Sequence, residues 1–199
     1  MDQRHDARNG VAISSSFLGP RSRFSKSSTF AARVGRKPLA NKESMSLLIQ
    51  EVPVADAPME LLLLADPSED KIRSYLSGSK CFIASSGAVV VGACVVQPRG
   101  TGTHEVMSIA VHPAYQKSGH GTALLKWVID FFRSSGARQL EVGTGSFGYQ
   151  LAFYQRHGFR VTSIDHDFFV KNYPEPIFEN GIQLVDMLRL TLRYSGNVV

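Results

Sequence analysis

The order of apolar runs in the chain predicts a mixed α/β fold, of α+β type, with a largely antiparallel twisted sheet flanked by helices. Three observations lead there. Short β-branched and apolar runs dominate the middle of the chain, one long amphipathic segment interrupts them, and each run is closed by Gly, Pro or Ser-Gly punctuation. "SLLIQEV" (46–52) reads as a strand, and "PMELLLLA" (58–65) and "SEDKIRSYL" (68–76) as short helices. "KCFIASS" (80–86) and "AVVVGACVVQ" (88–97) flank Ser86-Gly87, the pattern of a hairpin. "EVMSIAV" (105–111) is a further strand, stopped by Pro113. A helix then begins at Gly119, with Leu124, Leu125, Val128, Ile129 and Phe132 on one face and Lys126, Asp130 and Arg133 on the other. Gly136 ends it at a position that favours a left-handed residue. "RQLEVGTG" (138–145) reads as a strand, "FGYQLAFYQRH" (147–157) as a helix stopped by Gly158, "FRVTSID" (159–165) as a strand, and "IQLVDMLRLTL" (182–192) as the last strand. No internal repeat is visible.

A chain of 199 residues, 43% hydrophobic and 20% charged, accommodates one folded domain with a sizeable core. The net charge of +5 is unevenly spread. Residues 1–44 hold nine of the 22 basic and three of the 17 acidic residues, so the remaining 155 carry one net negative charge. The basic segment is rich in Ser, Gly and Arg and lacks a hydrophobic period, the composition of a disordered extension. An organelle transit peptide, nucleic-acid contact, or an extension upstream of a true start at Met45 are the other readings of it. The folded part, 45–199, does not point to nucleic acid. Its longest uncharged apolar run, Gly87 to Val96, is far shorter than the ~18–20 residues of a spanning helix, so a soluble, cytoplasmic protein with no membrane partner is expected. Cys81 and Cys94 both lie in strand-like runs, and the six histidines form no HxxxH or HExxH pair. Neither a disulfide framework nor a metal site is expected.

Between the strand that ends at Val111 and the helix that starts at Gly119 lies "HPAYQKSGHG". Amides at the start of that helix face one spot, Gly119 and Gly121 offer no side chain to block a ligand, and Lys117 can add a positive charge. This is the chemistry of a phosphate or pyrophosphate site. The P-loop pattern is absent, and Leu124 stands where a dinucleotide fingerprint needs Gly or Ala. Two glycines that merely let the helix pack closely on the sheet are the competing explanation.

"QKSGHG" (116–121), preceded by "MSIAVHPAY" and followed by an amphipathic helix, resembles the Gln/Arg-x-x-Gly-x-Gly/Ala motif of the GNAT superfamily of acyl-CoA-dependent N-acetyltransferases. "AFYQRHGF", with Tyr154, resembles the second motif of that superfamily. The resemblance covers about 46–192. It implies acetyl-CoA as co-substrate, with Gln116, Lys117, Ser118, Gly119, His120, Gly121 and Thr122 gripping its pyrophosphate mainly through backbone. It also implies that Ile109, Ala110 and Val111 pair with the pantetheine arm. Where family members often place an Asn after the fifth strand, this chain has "GTGSFG", with Ser146 as the available substitute.

Transfer of an acetyl group to a primary amine by direct attack in a ternary complex is the activity implied. An amine near the lysine reference of ~10.4 is free base in only about one molecule in a few thousand at pH 7, so a proton acceptor or a water path is needed. Glu105 is the candidate, with His104 and Asp165 in reserve; a solvated strand-end charge is the alternative for Glu105. Tyr154 matches the family tyrosine that gives a proton to the departing thiolate; a packed aromatic is its alternative. The segment 165–181 mixes Asp165, Asp167, Glu175 and Glu179 with Phe168, Phe169, Tyr173 and Phe178, which suits a cationic amine or a surface connection equally. The acceptor is expected to be a small-molecule or peptide amine. Dimers are common in the resembled family, and a non-catalytic acyl-CoA-binding or sensing module is the rival function.

Overall fold

A computed structural model describes residues 46–194. The basic segment 1–44, with its transit, nucleic-acid and upstream-extension readings, lies outside the described residues.

Strands β1 (Leu47–Val52), β2 (Lys80–Ser86), β3 (Val89–Gly100), β4 (Thr103–Val111), β5 (Gln139–Gly145), β6 (Arg160–Asp165) and β9 (Met187–Arg193) form one seven-stranded sheet in the order β1-β2-β3-β4-β5-β9-β6. All neighbours run antiparallel except β4 and β5. A small hairpin, β7 (Phe178–Glu179) with β8 (Ile182–Gln183), stands apart. The helices are α1 (Met59–Leu62), α2 (Glu69–Leu76), α3 (His120–Ser134), α4 (Tyr149–Arg156) and α5 (Phe168–Asn172).

Alternation along the strands sends side chains to two cores. Val106, Ile109, Leu140, Val142 and Leu190 join the whole apolar stripe of α3 (Leu124, Leu125, Val128, Ile129, Phe132) and Phe153 of α4 on one face. Met107, Ala110, Ala93 and Val95 meet Leu61, Leu62, Ile72 and Tyr75 of α1 and α2 on the other. Each of the five stripe residues of α3 is buried. At ~1.5–3 kcal/mol per fully buried large apolar side chain, that stripe alone anchors the helix firmly. A third cluster, Phe168, Phe169, Tyr173, Leu184 and Met187, seats α5.

Two features of β4 position the site. Val95 faces Ser108 while Val96 faces Val106, so Met107 is the extra residue of a bulge that bends the strand. The parallel pairing of β4 with β5 is confined to Thr103–Val106 against Gln139–Val142, although both strands continue. From Met107 onward the two strands diverge, and the sheet opens as a wedge.

The run 182–192, expected as one strand, is divided into β8 and β9 by Leu184-Val185-Asp186, because Leu184 turns into the third core. The segment 165–181 contains α5 and β7 rather than an irregular connection.

Candidate active site

The wedge holds a cavity of 340 Å³ lined by Ile109, Ala110 and Val111 of β4, by Gln116, Lys117, Gly119, Gly121 and Thr122 at the start of α3, and by Tyr149, Gln150, Phe153 and Tyr154 of α4. The outer end is made of backbone. Gly119 is the N-cap of α3, in the left-handed region at φ 85°, and supplies no capping side chain. The first intrahelical bond runs from Ala123 N to Gly119 O, so the amides of His120, Gly121 and Thr122 have no acceptor one turn back. Lys117 is also left-handed, at φ 59°. Two such residues within one turn direct successive amides to one side, an anion-binding concavity. A Cβ at Gly119 would meet nothing within 4 Å, so the space above it is open to a ligand rather than filled by packing. Close packing of helix on sheet therefore does not account for this glycine.

The loop is fixed by side chains that bond to nearby backbone. Gln116 Nε2 donates to Val111 O at 2.9 Å, Ser118 Oγ to Gln116 O at 3.2 Å, and His120 Nδ1 lies 2.9 Å from Tyr115 O. Ser118 and His120 thus serve the loop's shape, and neither side chain lines the cavity.

At the inner end stands Tyr154, 1% exposed, edge-on to Phe153 and Phe159. Burial, and then the neighbouring Cys94 thiol, push its phenol well above its ordinary value, so it is protonated at any physiological pH. Phe153, a core residue beside Tyr154 from the sequence onward, also lines the cavity, and Tyr149 and Gln150 join it without a motif of their own. Their signal was present, since Tyr149 with Phe153 and Gln150 with Tyr154 are spaced i, i+4 on one face of the same helix. Ser146 is exposed and does not line the cavity; the polar side chain near the wedge after β5 is Gln150.

Glu105 occupies different ground. It is 3% exposed, not a solvated strand-end charge, and both carboxylate oxygens are engaged. Arg99 Nε lies 2.6 Å from Oε2 and Arg189 Nη1 2.5 Å from Oε1, while Arg189 Nε reaches Asp165 Oδ2 at 2.8 Å. These groups border a second, polar cavity of 390 Å³ together with Glu141, Thr162, Ser163 and Thr191. His104, one residue away and on the opposite face by strand alternation, packs against Phe132 with ring centres 4.5 Å apart. Burial, with Lys80 adding to it, lowers its pKa. Of the acidic and aromatic residues in 165–181, Phe168, Phe169 and Tyr173 turn inward, whereas Asp167, Glu175 and Phe178 are exposed. Among the described residues no group of three or more His, Cys, Asp or Glu is placed to hold a metal, and no helix is long and apolar enough to cross a membrane.

A sheet opened between two parallel strands, with an uncapped helix N-terminus at one end of the opening and a buried phenol at the other, is the arrangement that the GNAT resemblance implies for an acyltransferase. The chain belongs to the GNAT acetyltransferase family, whose domain model matches residues 77–161. It is 44% identical over 138 residues to an uncharacterized N-acetyltransferase, YvbK, of Bacillus subtilis (strain 168), covering 69% of this chain and 89% of that one. An IAA acetyltransferase from Bacillus cereus ATCC 14579 superposes with a TM-score of 0.72 at 42% identity, over 75% of this chain and 100% of that one. A GNAT family acetyltransferase from Elizabethkingia anophelis with acetyl-CoA bound does so at 0.72 and 39% identity, over 74% and 98%.

Proposed function

We propose that the protein transfers an acetyl group from acetyl-CoA directly to a primary amine within a ternary complex, and that residues 45–199 are its catalytic domain. The wedge cavity carries this reading, because it joins an anion-binding turn to a buried, protonated phenol along a free strand edge. The relative with acetyl-CoA bound supports the choice of donor. The amides of residues 118–122 and the charge of Lys117 would take the pyrophosphate. Ile109, Ala110 and Val111, which β5 leaves unpaired, offer main-chain groups to an extended amide-bearing arm.

When bound, acetyl-CoA supplies the thioester carbon that the amine attacks. Tyr154 is the proton donor to the departing sulfur: its raised pKa keeps the proton available until a thiolate forms beside it. The amine proton must leave on the other side. Two guanidinium neighbours occupy the oxygens of Glu105, so a proton reaches it through water rather than by direct contact. This makes Glu105 a sink at the far end of a proton path.

The test uses the full-length chain. Calorimetric titration with acetyl-CoA should give micromolar binding, and amine-dependent thiol release should follow with at least one class of amine. Binding without thiol release for any amine would favour the sensing module instead. Absence of binding would remove the reading altogether.

A further inference from the structure

The second cavity lies on the face of the sheet that α1 and α2 cover only in part. Those helices pack on residues of β2, β3 and β4, and none of β5, β6 or β9 joins their core. Leu140 and Val142 of β5 enter the core of α3, so Glu141 between them points to the opposite face, where it lines the polar cavity of 390 Å³ beside Glu105. The two residues are partners in the register of β4 and β5, one pair before the last, Val106 with Val142. They stand at the foot of the fork whose free strand edge, Ile109 to Val111, lines the donor cavity.

Five charged side chains line this second cavity: Arg99, Arg189, Glu105, Asp165 and Glu141. Four of them close on one another. Glu105 spans the two guanidinium groups, at 2.6 and 2.5 Å, and Arg189 also holds Asp165 at 2.8 Å. Glu141 is left outside that network. It accepts one hydrogen bond, of 2.8 Å, from the neutral amide of Gln139, and makes no ion pair among the described residues. Two guanidinium groups against three carboxyl groups give the lining a formal charge of −1, and the excess belongs to Glu141. The chain places it directly beside another carboxyl group, although like charges at facing positions of neighbouring strands are unfavourable. Local conflicts of that kind gather at functional sites, where a ligand resolves them. The remaining lining side chains are hydroxyls of β6 and β9, which can bond a polar ligand without altering the charge.

Resting on the acetyl-transfer reading above, we propose that Glu141 is a specificity-determining residue, which binds the cationic group of the acceptor in this cavity and selects amines that carry no carboxylate. A monocationic amine brings the lining to formal neutrality. An amino acid zwitterion has no net charge, so it leaves the excess in place. It also sets its own carboxylate among three others, with both guanidinium groups already engaged.

The experiment measures thiol release from acetyl-CoA by the full-length chain with straight-chain primary amines and terminal amino alcohols. Each is paired with the ω-amino acid of the same length, so that the reacting nitrogens ionise much alike. The expected result is a preference of roughly tenfold or more in kcat/KM for the amine over its paired acid, the size of one charged hydrogen bond. Glu141→Gln keeps the shape of the side chain and removes the excess charge. It should bring the ratio toward one, chiefly by raising KM for the amines. Glu141→Lys makes the formal charge of the lining +1 and should invert the preference. Melting temperature and calorimetric acetyl-CoA affinity are followed for both variants, and a residue that served only the fold would lower the melting temperature without moving the ratio. A wild-type ratio near one or in favour of the acids overturns the proposal, as does a ratio unchanged in a folded Glu141→Gln variant. So does a wild-type chain that binds acetyl-CoA and acetylates no amine of the panel. Failure to bind acetyl-CoA would instead overturn the donor reading on which the proposal stands.

Discussion

The two sides of the sheet opening are built from different materials. On the proposed donor side the available groups are backbone: the amides at the start of α3, the left-handed Lys117 and Gly119, and the edge of β4 released by β5. Lower in the sheet and on its other face the buried polar groups are side chains, and these divide again. Around Glu105 each oxygen of the carboxylate meets a guanidinium, whereas around Asp66 the opposite charges do not meet. The Glu105 network holds three strands of the sheet together.

The contrast is broken most severely at Gly119. Gly119→Glu places a carboxylate where the pyrophosphate is proposed to sit, and acetyl-CoA affinity should fall by on the order of a hundredfold or more, read by calorimetry. Because φ 85° strains any side chain, Gly119→Asn is the control, since Asn tolerates the left-handed region and adds no charge. It should retain most of the affinity. Equal loss in both variants would mean that the backbone conformation, not the charge, was disturbed.

Next in size is Glu105→Gln. Removing one charge weakens the link that joins Arg99 to Arg189, which keeps Asp165, and should cost about 2 kcal/mol in denaturant unfolding. A variant as stable as the wild type would show that the network contributes little to the fold. Tyr154→Phe follows, with turnover expected to fall by roughly tenfold to a hundredfold and acetyl-CoA affinity nearly unchanged. Loss of affinity equal to the loss of turnover would make Tyr154 a packing residue.

The smallest effect is at Asp66, buried beneath α1 and α2. Burial raises the Asp66 carboxyl above its ordinary 3.8, so in the folded state it binds a proton more readily than in the unfolded chain. Stability contributed by the protonated form is therefore lost as pH rises from 3.8 through the raised folded value. Asp66→Asn, which keeps the acceptor for Ser68, should melt a few degrees above the wild type at neutral pH, and the difference should vanish below the ordinary carboxylate range. A constant difference at every pH would show that Asp66 is not desolvated in its charged form.

Much of this was legible before any coordinates. The α3 stripe and the hairpin at Ser86-Gly87 follow from local periodicity, and the two motifs around Gly119 and Tyr154 follow from local spacing, so each could be read within a few residues. The residues that line the wedge beside Tyr154 are equally local but silent, because an i, i+4 pair such as Gln150 and Tyr154 becomes informative only once the face it shares is known to line a cavity. Glu105 was visible as a charge at a strand end, yet its two partners lie on β3 and β9, and only the sheet order brings Arg189 beside it.

By itself the sequence determined the alternation of strands and helices, the glycine-rich turn that caps α3, and the family to which the chain belongs. These depend on interactions between near neighbours, whose geometry the backbone dictates. Tertiary structure alone decided that β4 bulges at Met107 and parts from β5 after Val106, and that Asp66, Lys71, Ser108 and Tyr173 converge. Those facts arise from contacts between segments as many as a hundred residues apart, and their energies depend on burial, which no single stretch of sequence carries.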